Sequence, residues 1–261
     1  MSLNDAVEAI PRKTMVLFFL IDTSGSMSGS KIGAVNAAIE EVIPELKDIS
    51  ANNADAEVKI AALEFSNSAS WITEEGPIPV DNFIWRYMDA GGNTAMGDAC
   101  RKLNEALSTK TFMSEAVGSF APAIFMLSDG EPTDDFANGL EELKKNNWFK
   151  AAIKVAVAIG DDANKACLAE FTGSKESVIE VHNSAMLRKM IKFVSVKVSQ
   201  IASKSVQVTA VKTPNSTVTS SNNAGTAQSA DSESPLVKQA ALNEQLAQIK
   251  NETKKSGDDE W

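Results

Sequence analysis

Residues 15–21 form an unbroken apolar run, Met-Val-Leu-Phe-Phe-Leu-Ile, that stops abruptly at Asp22. A strand with no polar alternation is one covered on both faces, so this run predicts a central strand. After a Ser/Gly loop, Ile32, Val35, Ile39, Val42, Ile43 and Leu46 recur at helical spacing. They predict a helix over about 30–47, with Pro44 as a kink point.

The same alternation continues along the chain. Residues 57–65 predict a second strand, and the turn Ser66-Asn67-Ser68 makes residues 69–73 the antiparallel return arm of a hairpin at the sheet edge. Residues 74–84 carry Pro77 and Pro79 and predict a loop, which leads to the turn 89–94 and a helix to about Leu107. Residues 122–127 are a short apolar strand, followed by the acidic turn 128–135 and a helix over 137–146. A fifth strand at 153–159, a helix through Phe171 capped by Gly160-Asp161-Asp162, a sixth strand at 178–181 and a helix over 185–201 complete the pattern. Strands alternating with helices predict an α/β, doubly wound, Rossmann-like three-layer domain. Its sheet is mostly parallel and six-stranded with one antiparallel edge strand, and helices cover both faces.

This divides the chain into a lead-in (1–13), the domain (14–203), a Ser/Thr-rich linker (204–234) and a short amphipathic helix with a charged tail (235–261). Leu242, Leu246 and Ile249 form the apolar stripe of that helix. The formal net charge of -10 argues against a nucleic-acid or anionic-membrane surface. Cys100 and Cys167 are the only cysteines and read as buried, reduced thiols, and no leader or membrane span is evident, so a cytoplasmic protein is expected.

Three loops carry the candidate chemistry: Asp22, Ser24 and Ser26 after the first strand, Thr94 in the Gly-Gly-Asn-Thr turn, and Asp129 after the 122–127 strand. In a doubly wound sheet these loops emerge at one carboxyl edge, where such folds bind ligands. All five side chains offer oxygen, which suits a hard ion such as Mg2+ with about six oxygen ligands. Neutral hydroxyls leave a divalent ion under-neutralised, with room for an anionic oxygen from elsewhere. Gly25, Gly29, Gly91 and Gly92 permit tight turns around the site.

Asp22-x-Ser24-x-Ser26, Thr94 and Asp129 together resemble the metal-ion-dependent adhesion site (MIDAS) of von Willebrand factor A domains, a likeness extending over residues 15–201. Within that family, residues 22–29, 92–97 and above all Asp129-Gly-Glu-Pro-Thr-Asp-Asp135 are similar to the bacterial TerY proteins of tellurium-resistance and stress operons. The resemblance implies that Asp22, Ser24 and Ser26 are metal ligands, and that Thr94 and Asp129 exchange between direct and water-mediated contact as a partner binds. It implies Mg2+, with Mn2+ or Ca2+ as alternatives, a partner protein that supplies a carboxylate, and a PP2C-type phosphatase or Ser/Thr kinase encoded nearby. The chain departs from some TerY-like proteins in lacking a Cys/His-rich carboxyl extension.

Plainer readings stand beside these. An isolated Asp-x-Ser is ordinarily a turn and N-cap. Glu131, Asp134 and Asp135 fit helix-start acids as well as partner contacts, Asp161 and Asp162 fit caps, His182 fits a structural or surface role, and Trp71 and Trp85 fit packing or rim positions. Gly25 to Lys31 imitates a phosphate loop but has Ser30 and Ile32 at its defining positions. The rival function is an Asp-nucleophile phosphotransferase or phosphatase of haloacid-dehalogenase type using Asp22, which Ser24 weakens because that family places its general acid there. The leading expectation is a non-enzymatic, metal-dependent protein-binding module.

Overall fold

The computed structural model describes residues 12–54, 56–73, 75–114, 118–161, 163–202 and 235–253. In chain order the elements are β1 (Lys13–Asp22), α1 (Ser30–Ala51), β2 (Ala56–Phe65), β3 (Ala69–Trp71), β4 (Ile78–Pro79) and α2 (Met96–Ala106). They continue with β5 (Ala123–Ser128), α3 (Phe136–Lys145), α4 (Asn147–Ala151), β6 (Ile153–Ile159), α5 (Lys165–Thr172), β7 (Val178–Val181), α6 (Ser184–Ala202) and α7 (Pro235–Thr253). The lead-in up to residue 11, the linker and the charged tail lie outside the described residues, as does Asp162.

Strand order is β3-β2-β1-β5-β6-β7, and β4 also pairs with β2. The pairs β1–β2, β1–β5, β5–β6 and β6–β7 are parallel, while β3 and β4 run antiparallel to β2. The sheet therefore has seven strands instead of six. The extra one is a two-residue pairing, Lys59 with Pro79 and Ile60 with Ile78, inside the stretch expected as a loop. Proline is tolerated there because the strand lies on the sheet edge.

The apolar run of β1 is explained by the two layers it separates. Met15, Leu17, Phe19 and Ile21 join one core with α1 and α6, while Val16, Phe18 and Leu20 join another with α2, α3 and α5. Alternate residues on a pleated strand face opposite sides, so a strand with helices on both faces needs apolar residues at every position. α1 runs past Lys47 to Ala51 because tertiary contacts hold its end: Ser50 Oγ accepts from Val58 N–H at 3.0 Å and Ser50 carbonyl accepts from Arg12 Nη1 at 2.7 Å. Pro44 sits inside that helix on its exposed side. α4, a short helix that hydrophobic spacing did not announce, is started by Asn146, whose side chain accepts from Trp148 N–H and Phe149 N–H.

α5 begins later than expected. Asn164 is its cap, with Oδ1 accepting from Ala166 N–H at 3.1 Å and Cys167 N–H at 3.3 Å, while Asp161 pairs with the half-exposed His182. Cys100 is buried among the α2 contacts, and burial pushes its thiol up to about 12, whereas Cys167 is only partly buried. The carboxy-terminal helix is neither short nor a simple appendage. It spans 19 residues, and Leu242 and Leu246 join the α1/α6 core; burying each contributes about 1.5–3 kcal/mol. Gln239 reinforces the docking, accepting from Lys154 N–H at 2.9 Å and donating to Lys154 carbonyl at 3.0 Å. The side chain of Ile249 lies outside the described residues.

α2 and α3 cross at two glycines. A Cβ on Gly97 would stand 2.5 Å from Asp135 carbonyl oxygen, and one on Gly139 would stand 2.6 Å from Gly97 carbonyl oxygen. Backbone faces backbone at this crossing, so an added methyl has no flexible neighbour to displace. Gly97→Ala and Gly139→Ala are each expected to destabilise the domain by about 1–3 kcal/mol, read as a lower denaturation midpoint at unchanged m-value. A midpoint equal to that of the wild type would show that the helices separate freely.

Candidate metal centre

β1 and β5 are adjacent parallel strands, and the chain leaves β1 for β2 on one side and returns to β5 on the other. Their carboxyl ends thus flank a topological switch point, where the loops diverge and leave a crevice. Asp22 ends β1, and Asp129 follows Ser128, the last residue of β5. Residues about a hundred positions apart in sequence meet there.

The contacts are specific. Ser26 Oγ donates to Asp129 Oδ1 at 2.7 Å, and Ser24 Oγ lies 3.0 Å from Ser26 Oγ. Asp22 Oδ1 accepts from Ser24 N–H at 2.8 Å, and its Oδ2 accepts from Ser128 Oγ at 2.5 Å. Thr94 comes in from the third loop. A Cβ on Gly130 would lie 3.2 Å from Thr94 Oγ1 and 3.6 Å from Ser26 Oγ, so both hydroxyls border one residue. All five sequence-predicted residues therefore gather around one crevice. Asp22, Ser24, Thr94 and Asp129 are buried, and Ser26 is exposed at the mouth.

The loops are fastened to one another by their backbones. Thr23 N–H bonds Phe65 carbonyl at 2.9 Å, Gly91 N–H bonds Thr23 carbonyl at 2.8 Å, and Gly25 N–H bonds Gly92 carbonyl at 3.0 Å. Gly92 has φ 85°, which side-chain-bearing residues rarely adopt, and a Cβ there would stand 2.7 Å from the Asn67 side-chain oxygen and displace that side chain, so this corner favours glycine. Thr94 is held from behind by Thr133, whose Oγ1 accepts from Thr94 N–H at 3.0 Å and whose N–H bonds Thr94 carbonyl at 2.9 Å.

The acids of the 129–135 turn separate cleanly. Asp134 accepts from Gly97 N–H and Asp98 N–H, each at 2.8 Å, and so caps α2 from a different loop. Asp135 caps its own helix α3, and Glu131 accepts from Asn164 Nδ2 at 2.9 Å. None of the three turns into the crevice through these contacts. Trp71 packs against Phe112 at a centroid distance of 4.7 Å, and Trp85 Nε1 donates to Asn36 Oδ1 at 3.2 Å, so both tryptophans serve packing.

Sequence reasoning missed two participants. Ser128 orients Asp22, and its position as the last strand residue before Asp129 was the available signal. Lys31, weighed only as a phosphate-loop lysine, places Nζ 2.5 Å from Asp129 Oδ2. The donor set fits a hard divalent ion: two carboxylates and three hydroxyls, oxygen throughout. Among the described residues no group of three or more His, Cys, Asp or Glu could hold a metal, so hydroxyls would have to complete any shell here.

Burial raises the Asp22 pKa above its ordinary 3.8, and the nearby Asp129 charge raises it further, against the lowering effect of the Ser128 and Ser24 hydrogen bonds. An acid with a raised native pKa favours the fold fully below its unfolded pKa, and that contribution is lost as pH rises through the native value. Ionising Asp22 therefore burdens the fold unless a cation offsets it. In EDTA, Asp22→Asn is expected to gain stability relative to wild type as pH rises above the ordinary carboxylate value of 3.8, measured by thermal unfolding. A relative loss over that window would contradict the assignment.

A family profile for the von Willebrand factor type A domain matches residues 17–193. A mouse protein, inter alpha-trypsin inhibitor heavy chain 4, is 31% identical over 138 residues; the match takes in 49% of this chain and 13% of the relative, so only a small part of that protein is spanned. Among solved structures, a von Willebrand factor type A protein from Catenulispora acidiphila superimposes with TM-score 0.53 at 18% identity, covering 72% of this chain and 43% of that one. Proximal thread matrix protein 1 of the mussel byssus, in a form with a zinc-occupied MIDAS motif, superimposes with TM-score 0.50 at 16% identity, covering 73% and 46%. Among the described residues no helix is long and apolar enough to cross a membrane. The profile match spans well over half of the sequence and the switch-point crevice sits inside it: the chain belongs to the von Willebrand factor type A domain family.

Proposed function

We propose that the chain is a non-enzymatic, divalent-cation-dependent protein-binding module. Asp22, Ser24, Ser26, Thr94 and Asp129 hold the ion, and an Asp or Glu of a partner protein completes its shell. The observation that carries this reading is the hydrogen-bonded run Ser24–Ser26–Asp129, which joins two loops 103 residues apart into one oxygen-lined crevice with an exposed mouth at Ser26. An ion there would act as a Lewis acid with unsatisfied charge, gripping an incoming carboxylate. Asp22 orients the floor, and Thr94 and Asp129 adjust as the partner binds.

Mg2+ is the ion this donor set favours, with Mn2+ or Ca2+ as alternatives; the zinc found in the mussel protein adds a further candidate. The finer assignment, a TerY-like component of a cytoplasmic bacterial stress or tellurium-resistance system with a PP2C-type phosphatase or Ser/Thr kinase as partner, rests on the likeness of residues 22–29, 92–97 and above all 129–135. The phosphotransferase alternative fares poorly, because Asp22 is fully buried with both oxygens already accepting hydrogen bonds, and Ser24 stands where a general acid would be.

Partner capture tests the reading. With a PP2C-type phosphatase and a Ser/Thr kinase as the candidate partners, wild type is expected to bind one of them in Mg2+ and to lose that binding about tenfold or more in EDTA. Asp22→Ala should show the same loss while its circular dichroism stays native. Binding that ignores both EDTA and the substitution would sink the proposal.

A further inference from the structure

Lys31 belongs to no ligand set considered above, yet it reaches the crevice. It sits in the first turn of α1, and its Nζ lies 2.5 Å from Asp129 Oδ2 while Ser26 Oγ donates to Asp129 Oδ1 at 2.7 Å. Both oxygens of Asp129 are thus engaged by groups of the chain itself. Asp129 is 2% exposed and Asp22 0%, so two like charges share a water-poor pocket, and the Asp129 charge is one cause of the raised Asp22 pKa. Buried carboxylates need a cation close by.

An ammonium on Asp129 Oδ2 and a divalent ion on the Oδ1 that faces Ser26 would sit about 4 Å apart and repel each other, by Coulomb's law. The Lys31 side chain is 15% exposed, so its head reaches the carboxylate from the rim on a flexible four-carbon stem that can swing outward. We propose that Lys31 is a tethered competitor for Asp129. It neutralises the carboxylate pair when no divalent ion is bound, it must release Asp129 when one binds, and it thereby lowers the affinity of the site for the ion. This inference rests on the divalent-ion reading of the crevice.

The test uses the full chain, with isothermal titration of Mg2+ and Mn2+ alongside thermal unfolding in EDTA. Lys31→Met is expected to bind the ions about tenfold more tightly than wild type, equivalent to about 1.4 kcal/mol, and to unfold several degrees lower in EDTA. Lys31→Arg, which keeps the charge, should stay close to wild type in both measurements. Lys31→Gln replaces Lys31→Met if the latter does not fold. Equal or weaker ion binding by the neutral variant overturns the competition alone; no ion binding by wild type or any variant overturns the divalent-ion reading and the inference with it.

Discussion

Two carboxylates, Asp22 and Asp129, are held almost free of water at the carboxyl ends of adjacent parallel strands. Left to themselves, two buried like charges oppose folding. The local structure can be read as the set of groups that make them tolerable: Ser24 N–H and Ser128 Oγ on Asp22, Ser26 Oγ and the Lys31 ammonium on Asp129. The same arrangement gives the crevice its attraction for a cation. What the carboxylates subtract from folding they make available for binding.

Keeping those charges adjacent requires a rigid frame, and the sheet supplies it. β1 is apolar at successive positions because helices cover both of its faces, and its parallel pairing with β5 brings Asp22 level with Ser128 and Asp129. Around that fixed edge the Thr94 loop is strapped down by Thr133, Asn67 and the backbone bonds between Thr23–Gly91 and Gly25–Gly92. Asp134, which fits a helix-start acid as well as a partner contact in the sequence, caps α2 and so fixes the helix that follows Thr94. Close packing at Gly97 and Gly139 locks α2 onto α3 behind it. Positioning of the hydroxyls is therefore a property of two loops and two helices together.

The carboxy-terminal helix adds a second layer of dependence. Leu242 and Leu246 complete the core that also contains β1, α1 and α6, and Gln239 binds the backbone of β6 at Lys154. Its docking side lies against α6 and β6.

Much of this was legible in the chain before folding. Period-3.6 and unbroken apolar stretches are local signals, so the six main strands, the Ser66–Ser68 hairpin and most helices could be read directly. The five oxygen-bearing positions could also be read, because each sits at a strand end or tight turn that local residues specify. The two-residue pairing of β4, the start of α4 and the delayed start of α5 were not legible, since edge pairing and caps are chosen by neighbours in space. Nor were the destinations of individual side chains: Asp134 to α2, Asp161 to His182, Ser128 to Asp22, Lys31 to Asp129. A sequence fixes which groups can donate or accept, whereas the partner each one meets depends on distances set by packed strands and helices, and only the tertiary structure decides those.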